Sequence, residues 1–152
     1  KGFGIITHTF EHYAPVVPGK VGGRHQGVLV SMENGKATTY GMMGVEDRGT
    51  LFVEPGTEVY EGMIVGENTR DNDITVNITK QKQKTNIRSA NKDQTNVIKK
   101  PRILTLEEAL EYLSDDEYLE VTPESIRLRK QILDKGERER VAKKKKFAEL
   151  EN

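Results

Sequence analysis

Apolar residues along the first half of the chain come in short runs that alternate with polar ones, and each run is cut off by glycine or proline. "GIITHTF" (residues 4–10) reads as a strand, ended by "YAPVVPG", whose prolines and glycine make a turn or linker. "GVLVSMENGKATTYGMM" (27–43) predicts a hairpin of two strand-like runs joined by Asn34-Gly35, the pair that supplies the positive φ values of a type I′ turn. Further short β-rich runs follow, broken by Gly49, Pro55-Gly56, Gly62 and Gly66. "DITVNIT" (73–79) places Ile74, Val76 and Ile78 at period two. Strands at this spacing predict a small barrel or sandwich.

The pattern then changes. Thr105 and Glu108 form a capping box, and Leu106, Ala109, Leu110 and Leu113 fall on one helical face, so a short amphipathic helix is expected. "YLEVTPESIRLRK" (118–130) reads as strand, turn at Thr122-Pro123, strand, with Ile126 and Leu128 on one face and Arg127 and Arg129 on the other; Thr122 before Pro123 also fits a helix start. The last residues, "DKGERERVAKKKKFAELEN", have helical composition and little to bury, as in a frayed helix or a tail. The fold expected is α+β, a small β-barrel-like core with short helices.

Composition makes the concentration of apolar residues necessary, because only 34% of the 152 residues are hydrophobic and 32% are charged. No run approaches the roughly 20 apolar residues of a membrane helix, and no signal-peptide pattern opens the chain, so a soluble protein with no membrane partner is expected. Lys1 stands first and leads straight into a strand-like run, as expected of a fragment of something longer. Cysteine is absent, which removes disulfides and thiolate metal sites.

The net charge of +0 hides a pattern in blocks. Residues 1–79 carry six cations among ten acids, without runs. Residues 80–102 carry eight cations (Lys80, Lys82, Lys84, Arg88, Lys92, Lys99, Lys100, Arg102) against Asp93 alone. Residues 104–125 carry eight acids and no Lys or Arg, and residues 126–146 turn basic again with ten cations against three acids. Since a local potential decays within about a Debye length, roughly 8–10 Å in physiological salt, a polyanion could dock on one block and ignore the next.

Candidate chemistry of other kinds is sparse. There is no phosphate-cradling GxxxxGK[ST], and the glycines of "GKVGGRHQG" lack the spacing of a dinucleotide loop. His8, His12 and His25 are read as surface or packing residues, and Asp71 with Asp73 as a solvated turn, because the Gly and bidentate Glu of a calcium loop do not follow. No catalytic residue and no metal ligand is expected in this chain. The basic stretch "KQKQKTNIRSANKDQTNVIKK" (80–100) is different: its cations alternate with Gln81, Gln83, Asn86, Asn91, Gln94 and Asn96, supplying phosphate neutralisation together with amide hydrogen bonding. Composition alone also allows a solvated loop. About eighteen residues separate the flanking apolar runs, longer than most loops without function. Aromatic residues are missing from it, which favours recognition of shape and backbone over base stacking.

In the order "GVLVS…GKA", "EDRG", "EVYEGMIVGE", "DNDITVN", "TNIR" and "VTPESIRLRK", the chain resembles the C-terminal part of the BipA/TypA family of bacterial translational GTPases. The resemblance implies that residues 1–15 are the closing strand of an elongation factor G-like domain, 16–133 a C-terminal domain peculiar to the family, and 134–152 a helical or disordered extension. It implies a GTPase parent whose nucleotide site lies upstream, so that GTP and Mg belong to the parent and this chain holds no cofactor. The implied setting is cytoplasmic, as a monomer on the ribosome in its factor site, in large-subunit assembly and in translation under stress or cold. The implied partners are large-subunit rRNA and the A-site tRNA region, with a loop matching residues 80–96 extending toward RNA. The RNA-binding set expected on charge and resemblance together is Lys80, Lys82, Lys84, Asn86, Arg88, Lys92, Gln94, Lys99, Lys100, Arg127, Arg129 and Lys130. Lys82, Lys84, Arg88 and Lys92 are phosphate contacts in that expectation, and Asn86 and Gln94 polar readers. The competing expectation is a protein-interaction or regulatory module whose acidic helix, 105–118, binds a basic ribosomal protein or folds onto the basic loop.

Overall fold

The computed structural model describes residues 4–15, 24–82 and 98–150, with residues 149 and 150 by backbone only. Eleven elements follow in order among them: β1 (Val28–Ser31), β2 (Gly35–Lys36), α1 (Thr39–Met43), β3 (Gly49–Leu51), β4 (Glu58–Val59), β5 (Met63–Asn68), β6 (Ile74–Val76), α2 (Leu106–Tyr112), β7 (Glu117–Val121), β8 (Ile126–Lys130) and α3 (Lys135–Leu150), with a 3-10 turn at Glu46–Arg48 before β3.

β5 is the hub. Along one edge it pairs antiparallel with β1; along the other it pairs with β8 through Met63 and Ile64, and with β3 through Gly66, Glu67 and Asn68. β1 adds β6 as a parallel neighbour, and β8 adds β7, giving a mixed sheet in the order β6-β1-β5-β8-β7 with β3 beside β5. β2 and β4 form a second, two-stranded sheet.

The alternation of side chains on the pleat separates two cores. Leu29, Met63 and Val65 face one cluster with Met42, Val45, Leu51, Val76 and Ile78. Val28, Val30 and Ile64 face the other, which α2 covers with Ala109 and Tyr112 and to which β8 adds Leu128. Burial on both faces is why "VLV" and "MIV" read as continuous apolar runs instead of alternating ones.

Four expectations change. The sheet is open, since its terminal strands β6 and β7 do not pair with one another among the described residues, so the β-rich core is no closed barrel. The Asn34-Gly35 hairpin does not form: both edges of β1 are already taken by β5 and β6, so β2 pairs with β4 instead, and the second expected strand is the helix α1, capped by Thr38. Residues 4–15 contain no strand and leave Ile5, Ile6, Phe10 and Tyr13 exposed, because an alternating segment needs a ladder partner and none lies beside it among the described residues. The acidic helix ends at Tyr112, since the acids beyond it are drawn into β7 and the turn before it. The capping box of α2 and the β7–β8 hairpin stand as expected.

The hairpin register sets Glu117 opposite Lys130 and builds the one buried ionic cluster among the described residues. The Glu117 side chain is wholly buried. Arg24 grips it in bidentate fashion, Nη1 to Oε2 at 2.9 Å and Nη2 to Oε1 at 2.8 Å; Lys130 Nζ donates to Oε1 at 2.8 Å and the Ser114 amide to Oε2 at 3.1 Å. Lys130 also meets Asp73 at 2.7 Å and Asp116 at 2.8 Å, while Asp73 Oδ1 accepts the Val28 amide at 2.9 Å. The Arg24 guanidinium lies over the Tyr112 ring, 4.7 Å from its centroid. The cluster thus ties the residues before β1, the approach to β6, the end of α2 and both strands of the hairpin.

Burial opposes charge at Arg24, Glu117 and Lys130, and their hydrogen bonds and ion pairs outweigh it. Glu117 is held below its ordinary 4.5 by Arg24 and Lys130, and Lys130 above its ordinary 10.5 by Asp116, Asp73 and Glu117. Replacing Glu117 by Gln leaves buried cations short of a counter-charge and should cost about 3–5 kcal/mol in urea unfolding. A depressed carboxylate stabilises the fold fully above its unfolded value and ceases to do so as pH falls through the folded one. The wild-type midpoint should therefore drop on acidification below 4.5, and Glu117→Gln should lose that part of the drop. The raised Lys130 acts at the other end: its contribution is complete below 10.5 and is lost as pH climbs through the higher folded value.

Candidate nucleic-acid interface

The basic segment leaves and re-enters the fold on one stretch of chain, Thr38 to Leu51. On the way out, Ile78 is fully buried, the Thr38 amide donates to its carbonyl at 2.8 Å, and Thr38 Oγ1 donates to the Lys80 carbonyl at 2.5 Å. The same Oγ1 accepts the Gly41 amide at 3.0 Å as the N-cap of α1, so one hydroxyl starts the helix and holds the outgoing stem. On the way back, Ile98 packs on the same core cluster as Ile78, the Lys99 amide donates to Glu46 Oε1 at 2.5 Å, and the Arg102 amide donates to the Leu51 carbonyl at 2.8 Å. Both stems therefore rest on the stretch from Thr38 to Leu51.

Lys80, Lys82, Lys99 and Lys100 are exposed at these stems. Lys84, Asn86, Arg88, Lys92 and Gln94 lie outside the described residues. Beside the outgoing stem, α1 and β6 flank an open surface hollow of about 560 Å³, lined by Tyr40, Arg48, Asn77 and Lys80 among others. Tyr40 is 45% exposed there, and so offers an aromatic face that the loop itself lacks. Sequence inspection of residues 80–100 misses it because it sits forty residues upstream, on a helix that had been expected to be a strand.

The β8 cations are placed differently. Arg127 is half-buried. Arg129 is ion-paired to Glu120 at 2.7 Å and stacked on Tyr118 at 5.1 Å from the ring centroid. Lys130 is 3% exposed and held by three carboxylates, which takes it out of any surface set; the reason is its register opposite Glu117. Glu120 also accepts the Tyr60 hydroxyl at 2.6 Å; burial first, and then this hydrogen bond, push that phenol's pKa up. No hydrogen bond or ion pair among the described residues joins β8 to the loop stems.

With this geometry in place, comparison with known proteins is decisive: residues 26–135 match the TypA/BipA C-terminal domain. The chain belongs to the TypA/BipA family. It is 71% identical over 150 residues to the large ribosomal subunit assembly factor BipA of Bacillus subtilis, covering 99% of this chain and 24% of that protein. It is 48% identical over 140 residues to the protein of the same name from Escherichia coli K12, and 44% identical over 140 residues to that from Haemophilus influenzae. The chain spans about a quarter of the length of these curated relatives. The TypA/BipA match takes in the whole sheet, both loop stems and the Glu117 cluster except Arg24, and stops where α3 begins.

Thr38 carries the outgoing stem and the α1 cap together, so Thr38→Val should lower stability by about 1–2 kcal/mol, the usual worth of a lost cap. Hydrogen exchange should report it as faster exchange at the Gly41 amide, with the β1–β5 ladder unchanged.

Proposed function

We propose that this chain is the ribosome-docking, RNA-binding C-terminal region of a translational GTPase, working in large-subunit assembly and in translation under stress or cold. In that proposal the parent binds GTP and Mg and hydrolyses the nucleotide in domains outside this chain. Residues 1–15 close the elongation factor G-like domain, residues 16–133 form the docking domain with its basic loop 80–100, and residues 134–152 extend from it. The protein acts as a cytoplasmic, ribosome-associated monomer and reaches large-subunit rRNA and the A-site tRNA region.

The observation that carries the proposal is the shared base of the basic segment. A stretch with eight cations against one acid has both its ends fixed to Thr38–Leu51. Pinned ends reduce the ordering entropy that a long loop loses on binding. Lys82, Lys84, Arg88 and Lys92 neutralise phosphates, Asn86 and Gln94 read polar edges, and Lys80, Lys99 and Lys100 add charge at the base. The assembly role named for the Bacillus and Escherichia relatives supports the same partner. The acidic block is partly turned to internal use, while Glu107, Glu111, Asp115 and Glu124 stay exposed. Asp116 and Glu117 serve Lys130, Glu120 serves Arg129 and Tyr60, and Glu108 closes its helix cap.

Co-sedimentation with purified large ribosomal subunits across a salt series tests the proposal. Replacing residues 82–94 by a Gly/Ser linker should abolish salt-sensitive binding. Neutralising Lys82, Lys84 and Arg88 together should reduce the slope of log K against log salt by about two to three, at about 0.7–0.9 per lost phosphate contact. Equal binding by wild type and linker variant overturns the assignment of the loop.

A further inference from the structure

α3 runs from Lys135 to Leu150, beyond the TypA/BipA match. Its start is fixed: Asp134 Oδ1 accepts the Glu137 amide at 2.7 Å, the Lys135 amide donates to Glu61 Oε1 at 3.2 Å, and Arg138 Nη1 donates to the Ile132 carbonyl at 3.0 Å. From there the helix has two unlike sides. Arg138, Val141, Ala142 and Lys145 turn toward the sheet and line a cleft of about 1030 Å³ whose far wall carries Asp73, Asp115 and Asp116. At 100° per residue the opposite side presents Arg140, Lys143, Lys144 and Phe147, at i, i+3, i+4 and i+7. All four are exposed, Phe147 to 67%, and among the described residues none of the three cations is ion-paired. Glu137 and Glu139 fall at the margins of that side, and Glu139 is 3.8 Å from Lys135.

We propose that this outer side of α3 is a second RNA site, taking an unpaired nucleotide whose base stacks on Phe147 while Arg140, Lys143 and Lys144 hold the adjoining phosphates. Three cations around one aromatic ring match a single strand, which offers phosphates and a π-face together. A lipid surface is a poorer fit because insertion needs a broad apolar face, and here one ring stands alone among cations. The cleft side is not the site, since Asp73, Asp115, Asp116 and Glu139 line it and make it poorer for a polyanion. The site lies on a different element from the loop and shares with the function proposed above only the class of partner.

Fluorescence anisotropy of a labelled short oligouridine, alone and annealed to oligoadenosine, is measured against the whole chain in a salt series. Replacing Arg140, Lys143 and Lys144 together by Gln should lower the salt slope for the single strand by about two, at about 0.7 per phosphate. Phe147→Leu should weaken the single strand about fivefold or more, with duplex affinity unchanged and Phe147→Tyr behaving as wild type. Unchanged slope in the triple variant overturns the site, as does an equal effect of Phe147→Leu on single strand and duplex. The 82–94 linker variant separates the two proposals. Loss in that variant with none in the α3 variants removes this site and keeps the loop; loss in the α3 variants alone does the reverse.

Discussion

Both edges of β5 are occupied along its length: β1 on one side, β8 and then β3 on the other. Six residues thereby join the N-terminal and C-terminal halves of the domain into one sheet. The space for this comes from Gly66, where a Cβ would stand 2.6 Å from the Thr50 carbonyl and 3.0 Å from Leu29 Cδ1. Because β1 is consumed by β5 and β6, the chain after β1 has no edge to return to, and it crosses to β4 and then into α1. That displacement places Thr38 and Glu46 where the basic segment's two stems can attach.

The charge blocks do different work once folded. The acidic block looks like a surface in the linear sequence, yet its second half is turned to internal use: Glu117 is buried between Arg24 and Lys130, and Glu120 bridges Arg129 and Tyr60. A buried carboxylate with four donors is satisfied, whereas the same group with one partner removed would strand the remaining charge at low dielectric. Arg129 and Lys130 of β8 are accordingly spent on the fold. Among the described residues the loop stems and α3 keep exposed cations on separate elements, as do Lys36, Arg48 and Arg70 elsewhere.

The TypA/BipA match covers the architecture that pins the loop and ends where α3 starts. The shared domain is thus the part with a core, and α3 is held mainly at its first turn through Asp134, Glu61 and Arg138. An exposed basic helix of sixteen residues gains little from tertiary packing, so its outer surface is free to be composed for a partner.

Local chemistry alone determined several elements. The α2 cap is legible because Thr105 and Glu108 satisfy each other's backbone donors without help from elsewhere. The β7–β8 hairpin is legible because its two-faced pattern brackets a turn. From that register the Glu117–Lys130 pair could have been read, which would have moved Lys130 from the surface to the interior. The basic segment was visible for the same reason, as a property of consecutive residues. Tertiary structure decided whatever required competition between distant strands. Asn34-Gly35 has hairpin chemistry, but β5 and β6 outcompete β2 for the edges of β1. "GIITHTF" has strand periodicity and no ladder beside it among the described residues. Arg24, Asp73 and Tyr40 carried no local signal, since each is defined by what the sheet brings to it from forty or more positions away. A sequence fixes the pairings a few residues can satisfy among themselves; which edge, counter-charge or hollow a residue meets depends on the strands that reach it first.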